Sequence, residues 1–217
     1  MTRRTRIALK VGVWTACLTP LAWLGWRAFT DDLGANPIDF ITDWLGRTAI
    51  RILLLSLAVT PIRLLTGASA LITFRRLLGL FAFFYAALHF GVWILIDHYF
   101  NWAQMAADIV KRPYITVGVT ALALMLPLAA TSTAGMIRRL GGRNWSRLHR
   151  LVYVIAILGV VHYLWLAKVG VLGPYYYAAW LAVLFGVRLV DTARRARARA
   201  RPAAPGARLA PRPASPD

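Results

Sequence analysis

Glutamate is missing from all 217 residues, and only eight acids, every one an aspartate, are set against 26 Lys and Arg. The formal charge of +18 belongs to a chain that is 59% hydrophobic. A nucleic-acid binder would not bury such charge between long apolar runs, and a water-soluble core does not need so many apolar residues. The combination reads as a multispanning membrane protein. Cysteine is reduced to Cys17, inside the first apolar run, which excludes an intrachain disulfide. With no CxxC pair, a cysteine-bound iron–sulfur cluster is excluded too. Neither GxGxxG nor a P-loop pattern occurs, so a cytoplasmic dinucleotide domain is missing, and no internal repeat is found. The acids lie at the edges of the apolar runs, not at mid-run where a transporter or channel would want them.

What is present is a series of apolar segments at 11–28, 47–65, 77–97, 114–131, 151–168 and 175–191. Each is close to the ~17–25 residues that cross a bilayer as a helix. Their connections alternate in charge. The N-terminus carries Arg3, Arg4, Arg6 and Lys10, whereas the first loop (29–46) carries Asp31, Asp32, Asp39 and Asp43 and no base. The second has Arg63, Arg75 and Arg76, and the third balances Asp97 and Asp108 against Lys111 and Arg112. The fourth has Arg138, Arg139, Arg143, Arg147 and Arg150, the fifth only Lys168, and the tail after 191 has seven arginines. Alternation of this kind is the positive-inside pattern of six helices with both termini cytoplasmic. The first segment runs to Trp26 through Pro20 with no small-residue cleavage site, so it is read as a retained helix. The expected organisation is a cytoplasmic N-terminus (1–10), a six-helix transmembrane domain (11–191) and an Arg/Pro-rich tail (192–217), disordered and resting on anionic lipid.

Three of the four histidines fall within or at the mouth of these helices. His89 lies twelve residues beyond Leu77 in the third, and His162 in the outer half of the fifth. They share one depth on two helices, as two imidazoles on opposite faces of a haem must. Ionisable side chains inside a bilayer are costly and mark function by default, and neutral imidazole is a common metal ligand. His149 stands at the inner mouth of the fifth helix, about 20 Å from His162 and about 140° away around an ideal helix, so the two face one flat surface only if the helix bends, and otherwise serve two cofactors at different azimuths. Arg75 and Arg76 lie at its level on the third helix. They suit haem propionates, a flavin phosphate or an anionic lipid, and they equally serve as inside-positive topology residues. Arg47 and Arg51, one turn apart near the outer end of the second helix, either clamp outer propionates or snorkel and pair with Asp43. His98, after Asp97 in "IDHYFNW", has no partner at its level and is expected as an interfacial surface residue. The Trp and Tyr clusters at segment ends read as interfacial anchors.

The stretches "LAVTPIR", "RRLLGL…ALHF", "KRPYITVG", "TST" and "RLGGRNWSRLHRLVYVIAILGVVHYLW" resemble the MsrQ (YedZ) family, over about residues 30–190. These are haem-binding membrane subunits of bacterial protein-methionine-sulfoxide reductase systems, within the ferric-reductase-like transmembrane superfamily. The resemblance implies an all-α six-helix b-type cytochrome in the bacterial inner membrane, with one or two haems b. It implies electron transfer outward to a periplasmic molybdopterin-dependent methionine-sulfoxide reductase, which repairs oxidised envelope proteins. The family's important histidines fall on His89, His149 and His162, as axial ligands. Relatives with two bis-histidine haems keep a second histidine on the third helix, where this chain has Arg75 and Arg76. The donor is expected to be the quinone pool or a separate cytoplasmic flavin reductase, with FMN bound in some members. The other reading of the same architecture is a ferric or metal reductase, or a quinone-linked cytochrome b, with a different terminal acceptor.

Overall fold

The computed structural model describes residues 2–166 and 170–200, and within them every regular element is helical. The first long helix, α1, covers Arg3–Phe29 and is capped by the Thr2 hydroxyl, which accepts from the Thr5 amide at 3.2 Å. The second, α2, covers Pro37–Thr66. Its start is written locally: Asn36 caps it through the Asp39 amide, and Pro37 fills the first turn, where a missing N–H costs nothing. It stops at Gly67, which adopts the left-handed conformation (φ 71°) that a side chain disfavours. A 3₁₀ segment (Ser69–Phe74) leads into α3 (Arg75–Val92), which continues as a π turn over Trp93–Asp97. Then come α4 (Trp102–Lys111), α5 (Pro113–Ala130) and α6 (Ala134–Leu148), the last kinked at Gly141. The final pair is α7 (Leu151–Trp165) and α8 (Gly173–Ala200).

The core gathers on α2. Leu53, Leu54 and Leu57 are buried against Ala82 and Tyr85 of α3 and Ile155 and Ala156 of α7. The Tyr85 hydroxyl donates to the Cys17 carbonyl at 2.6 Å, tying α3 to α1. The most extensive helix pairings are α2 with α3 and α5 with α7. By contrast α1 buries little, and it exposes Trp14, Trp26 and Phe29. Apolar side chains on the outside of a bundle suit a hydrocarbon surround, since the helices already satisfy their own backbone.

Among the described residues, four helices are long and apolar enough to cross a membrane: α1, α2, the continuous run Ser69–Asp97, and α5. A fifth span results if α6 and α7, bent by 44° at their junction, count together. The sixth expected segment, 175–191, lies inside α8, where Tyr175, Tyr176, Tyr177 and Arg188 dilute the apolar run.

Several expected boundaries shift. The first connection is shorter than 29–46, because the Asn36–Pro37 signal starts α2 ten residues before 47. Arg47 and Arg51 are therefore interior to α2 and not near its end. The third connection (98–113) contains α4 and the fourth (132–150) contains α6. The tail expected from 192 begins as helix, since α8 continues to Ala200 with Asp191 paired to Arg195 one turn on at 3.0 Å. Arginine and alanine are good helix formers, so the helix ends later than the apolar run. Residues 201–217 of the tail, and Lys168, lie outside the described residues.

Candidate haem site

His89 and His162 come together. They belong to α3 and α7, and their ring centroids lie 6.2 Å apart with the planes near perpendicular, at 79°. Two imidazoles on opposite sides of one iron require a centroid separation of about 6 Å, from about 2 Å per metal–nitrogen bond and about 1 Å from nitrogen to ring centre. Each ring is also oriented by a backbone carbonyl. Nδ1 of His89 donates to the Thr42 carbonyl at 2.8 Å, and Nδ1 of His162 donates to the Tyr114 carbonyl at 2.7 Å. A carbonyl only accepts, so the proton of each neutral ring sits on Nδ1 and the lone pair on Nε2. Nε2 is then the atom left free to ligate, the arrangement typical of metal-bound histidine.

This donor set fits haem. Among the described residues no cluster of three or more His, Cys, Asp or Glu could cage a bare metal ion. A haem iron needs only two axial side chains, because the macrocycle supplies the other four nitrogens.

The arginines expected beside this site have partners of their own. Arg47 pairs with Asp43 one turn earlier, and its Nε is buried without a hydrogen bond among the described residues. Arg51 donates from Nε to the Tyr177 hydroxyl of α8 at 2.7 Å.

At the opposite end of the bundle, Arg75, Arg76, His149 and Arg150 line a cavity of about 400 Å³, together with Ser56, Ser132, Trp145 and Tyr153. Among the described residues, no acidic side chain lines it. The Ser56 hydroxyl donates to the Arg75 carbonyl at 3.2 Å, which fixes the start of α3 against α2. His149 stacks on Trp145, with centroids 3.9 Å apart at 27°, and its Nε2 lies 3.1 Å from the Thr131 hydroxyl. That hydroxyl donates to the Pro127 carbonyl at 2.6 Å, so Nε2 of His149 is the donor and Nδ1 keeps the lone pair. The structure thus gathers His149, Arg75 and Arg76 around one space, with the opposite tautomer to His89 and His162.

His98 corrects the sequence reading. It is buried within the protein, not on its surface, and it has partners: Nε2 meets Asp108 at 3.1 Å and Nδ1 approaches Asp97 at 3.4 Å. The reason is α4, which turns Asp108 back over the turn at Tyr99 and Phe100; both residues there have positive φ. Residues that sequence reading passed over include Gly46, Gly118 and Arg188. Arg188 was legible as a lone cation in an apolar segment, whereas the glycines carried no such signal.

Comparison with known proteins agrees with this architecture. Residues 45–160 match the family described as ferric reductase like transmembrane component. A protein of Rhodospirillum rubrum, "Protein-methionine-sulfoxide reductase heme-binding subunit MsrQ", is 50% identical over 188 residues, 87% of this chain and 90% of its own. Relatives with the same name from Caulobacter vibrioides and Xanthomonas campestris pv. campestris are 46% and 48% identical, over 85% and 92% of this chain and 88% and 94% of theirs. The chain belongs to the ferric-reductase-like transmembrane family and, within it, to the MsrQ family.

Proposed function

We propose that the chain is a transmembrane electron-transfer subunit. It binds haem b and passes electrons outward across the bacterial inner membrane to a periplasmic molybdopterin methionine-sulfoxide reductase. The observation that carries this is the His89–His162 pair, at bis-imidazole spacing on two helices with both Nδ1 atoms committed to carbonyls. The name shared by the relatives, heme-binding subunit of a protein-methionine-sulfoxide reductase, supports the acceptor. The charge alternation supports six spans with both termini cytoplasmic, which puts His89 and His162 in the outer half.

Haem held there supplies a reversible one-electron couple. His89 and His162 offer Nε2 to it, and the carbonyls of Thr42 and Tyr114 strengthen both as donors. Arg47, whose Nε has no hydrogen-bond partner among the described residues, and the terminal nitrogens of Arg51, whose Nε is held by Tyr177, stand on the adjacent helix for propionates. At the inner face the cationic cavity of Arg75, Arg76 and Arg150, with His149, receives an anionic redox group: a second haem through its propionates, or FMN through its phosphate. The donor is the quinone pool or a cytoplasmic flavin reductase. Sulfoxide reduction takes place on the partner.

A dithionite-reduced minus oxidised spectrum of the purified protein tests the ligand pair. Sharp b-type bands are expected in the parent and should collapse in His89→Ala and His162→Ala. Bands unchanged in both variants would overturn the assignment. Reoxidation by methionine sulfoxide that requires the molybdoenzyme supports the acceptor, and equally fast reoxidation by ferric citrate alone would replace it with a metal reductase.

A further inference from the structure

The two histidines are held by one device, used twice. On α2 the accepting carbonyl belongs to Thr42 and a glycine, Gly46, follows four residues later; on α5 the carbonyl belongs to Tyr114 and Gly118 follows four residues later. In an α-helix the carbonyl of residue i already accepts from the amide of i+4, so only its second lone pair is free. The side chain at i+4 stands beside that lone pair. Here there is none, and the imidazole lies in its place. A Cβ built on Gly46 would sit 3.0 Å from His89 Nδ1 and 3.1 Å from its Cε1. A Cβ on Gly118 would sit 2.9 Å from both Nδ1 and Cε1 of His162. Other glycines on the histidine-bearing helices are different: Gly91 and Gly159 have open space where a Cβ would go.

We infer that Gly46 and Gly118 are positioning residues for the two axial histidines, each admitting an imidazole to the outer lone pair of a helical carbonyl. This rests on the reading of His89 and His162 as haem ligands. The consequence is chemical as well as steric. The Nδ1–H bond excludes the tautomer that would block Nε2, and it raises the electron-donating power of Nε2 toward iron. A stronger donor favours ferric over ferrous haem, so the paired bonds hold the outer potential down. One device on each face of the macrocycle also fixes each ring's rotation, and hence the near-perpendicular planes.

The test uses the full-length protein in detergent with four variants: Gly46→Ala, Gly118→Ala, and the controls Gly91→Ala and Gly159→Ala. The readouts are the low-temperature EPR signal of the ferric haem, its midpoint potential, and the rate of haem loss to apomyoglobin. Gly118→Ala is expected to change the ferric g-values, raise the midpoint potential and speed haem loss about tenfold, the usual scale for an outer-shell ligand partner. Gly46→Ala has the milder clash and should keep its haem while shifting both g-values and potential. The controls should match the parent. If Gly118→Ala does not accumulate, Gly46→Ala decides the matter alone. Parental EPR and potential in Gly46→Ala, or equal shifts in the controls, would overturn the inference while leaving the ligand assignment intact. Retention of the bands in His89→Ala and His162→Ala would instead remove the reading beneath it.

Discussion

Arg188 on α8 supplies the hydrogen bond that Pro61 takes away from Leu57 on α2. Proline has no amide hydrogen, so the carbonyl four residues earlier in a helix loses its donor. In α2 that carbonyl is Leu57, and Nη2 of Arg188 donates to it. Nη1 of the same guanidinium donates to the Tyr153 hydroxyl of α7 at 2.9 Å, and its carbon lies 5.2 Å from the Tyr153 ring centroid. One cation therefore joins three helices and mends the break in one of them.

Arg188→Met should lower stability by about 1–2 kcal/mol, the scale of polar contacts between membrane helices, read as a fall in thermal midpoint in detergent. Pro61→Ala restores an amide donor to Leu57, so the same arginine substitution should cost less in that background. A double-mutant cycle with a coupling energy near zero would show that Arg188 does not serve the carbonyl that Pro61 exposes.

His98 and Asp108 close the turn between the third span and α4. Asp108 is nearly buried and also meets Arg112 at 3.4 Å, so its charge is shared between two partners. Asp108→Asn should destabilise this corner by about 1–3 kcal/mol. Amide exchange over 98–112 should quicken, with no change in the haem bands. Unchanged exchange there would mean that packing of Trp93 on His98, at a centroid distance of 4.5 Å, holds the turn without the charge.

Arg75 and His149 allow the inner cavity to be tested apart from the outer pair. Arg75→Gln should lower the content of the inner group, haem or flavin, while the His89–His162 signal persists. Thr131→Val removes the hydroxyl beside Nε2 of His149 but keeps the Thr131 carbonyl, which accepts from Trp145 Nε1 at 2.9 Å. It should retain the inner group, whereas His149→Ala should lose it. Cofactor analysis of the purified variants reads both. Loss in Thr131→Val equal to that in His149→Ala would make the hydroxyl part of the site.

Depth was legible in the chain and azimuth was not. The helical rise fixes how far His89 and His162 stand from their helix ends, so their common level follows from counting residues. The level of His149 beside Arg75 and Arg76 follows in the same way, and these residues do line one cavity. What counting misses is helix inside a connection. His98 has no visible partner in the sequence because Asp108 lies ten residues on in a connection, and α4 folds it back. Arg47 and Arg51 stand at the edge of the apolar run, but the Asn36–Pro37 cap, not the apolar run, sets the start of α2.

The membrane setting and the helical class were written in the chain, and His89, His149 and His162 stood out as candidates, because hydrocarbon admits few polar side chains and makes each one conspicuous. Which nitrogen of His89 and His162 is free, and what stands behind it, emerges only from the packed helices. The partners are the carbonyls of Thr42 and Tyr114, atoms that every residue carries and no sequence advertises. Their accessibility depends on the side chains that Gly46 and Gly118 lack, and a missing Cβ gains meaning only when another helix is packed against it.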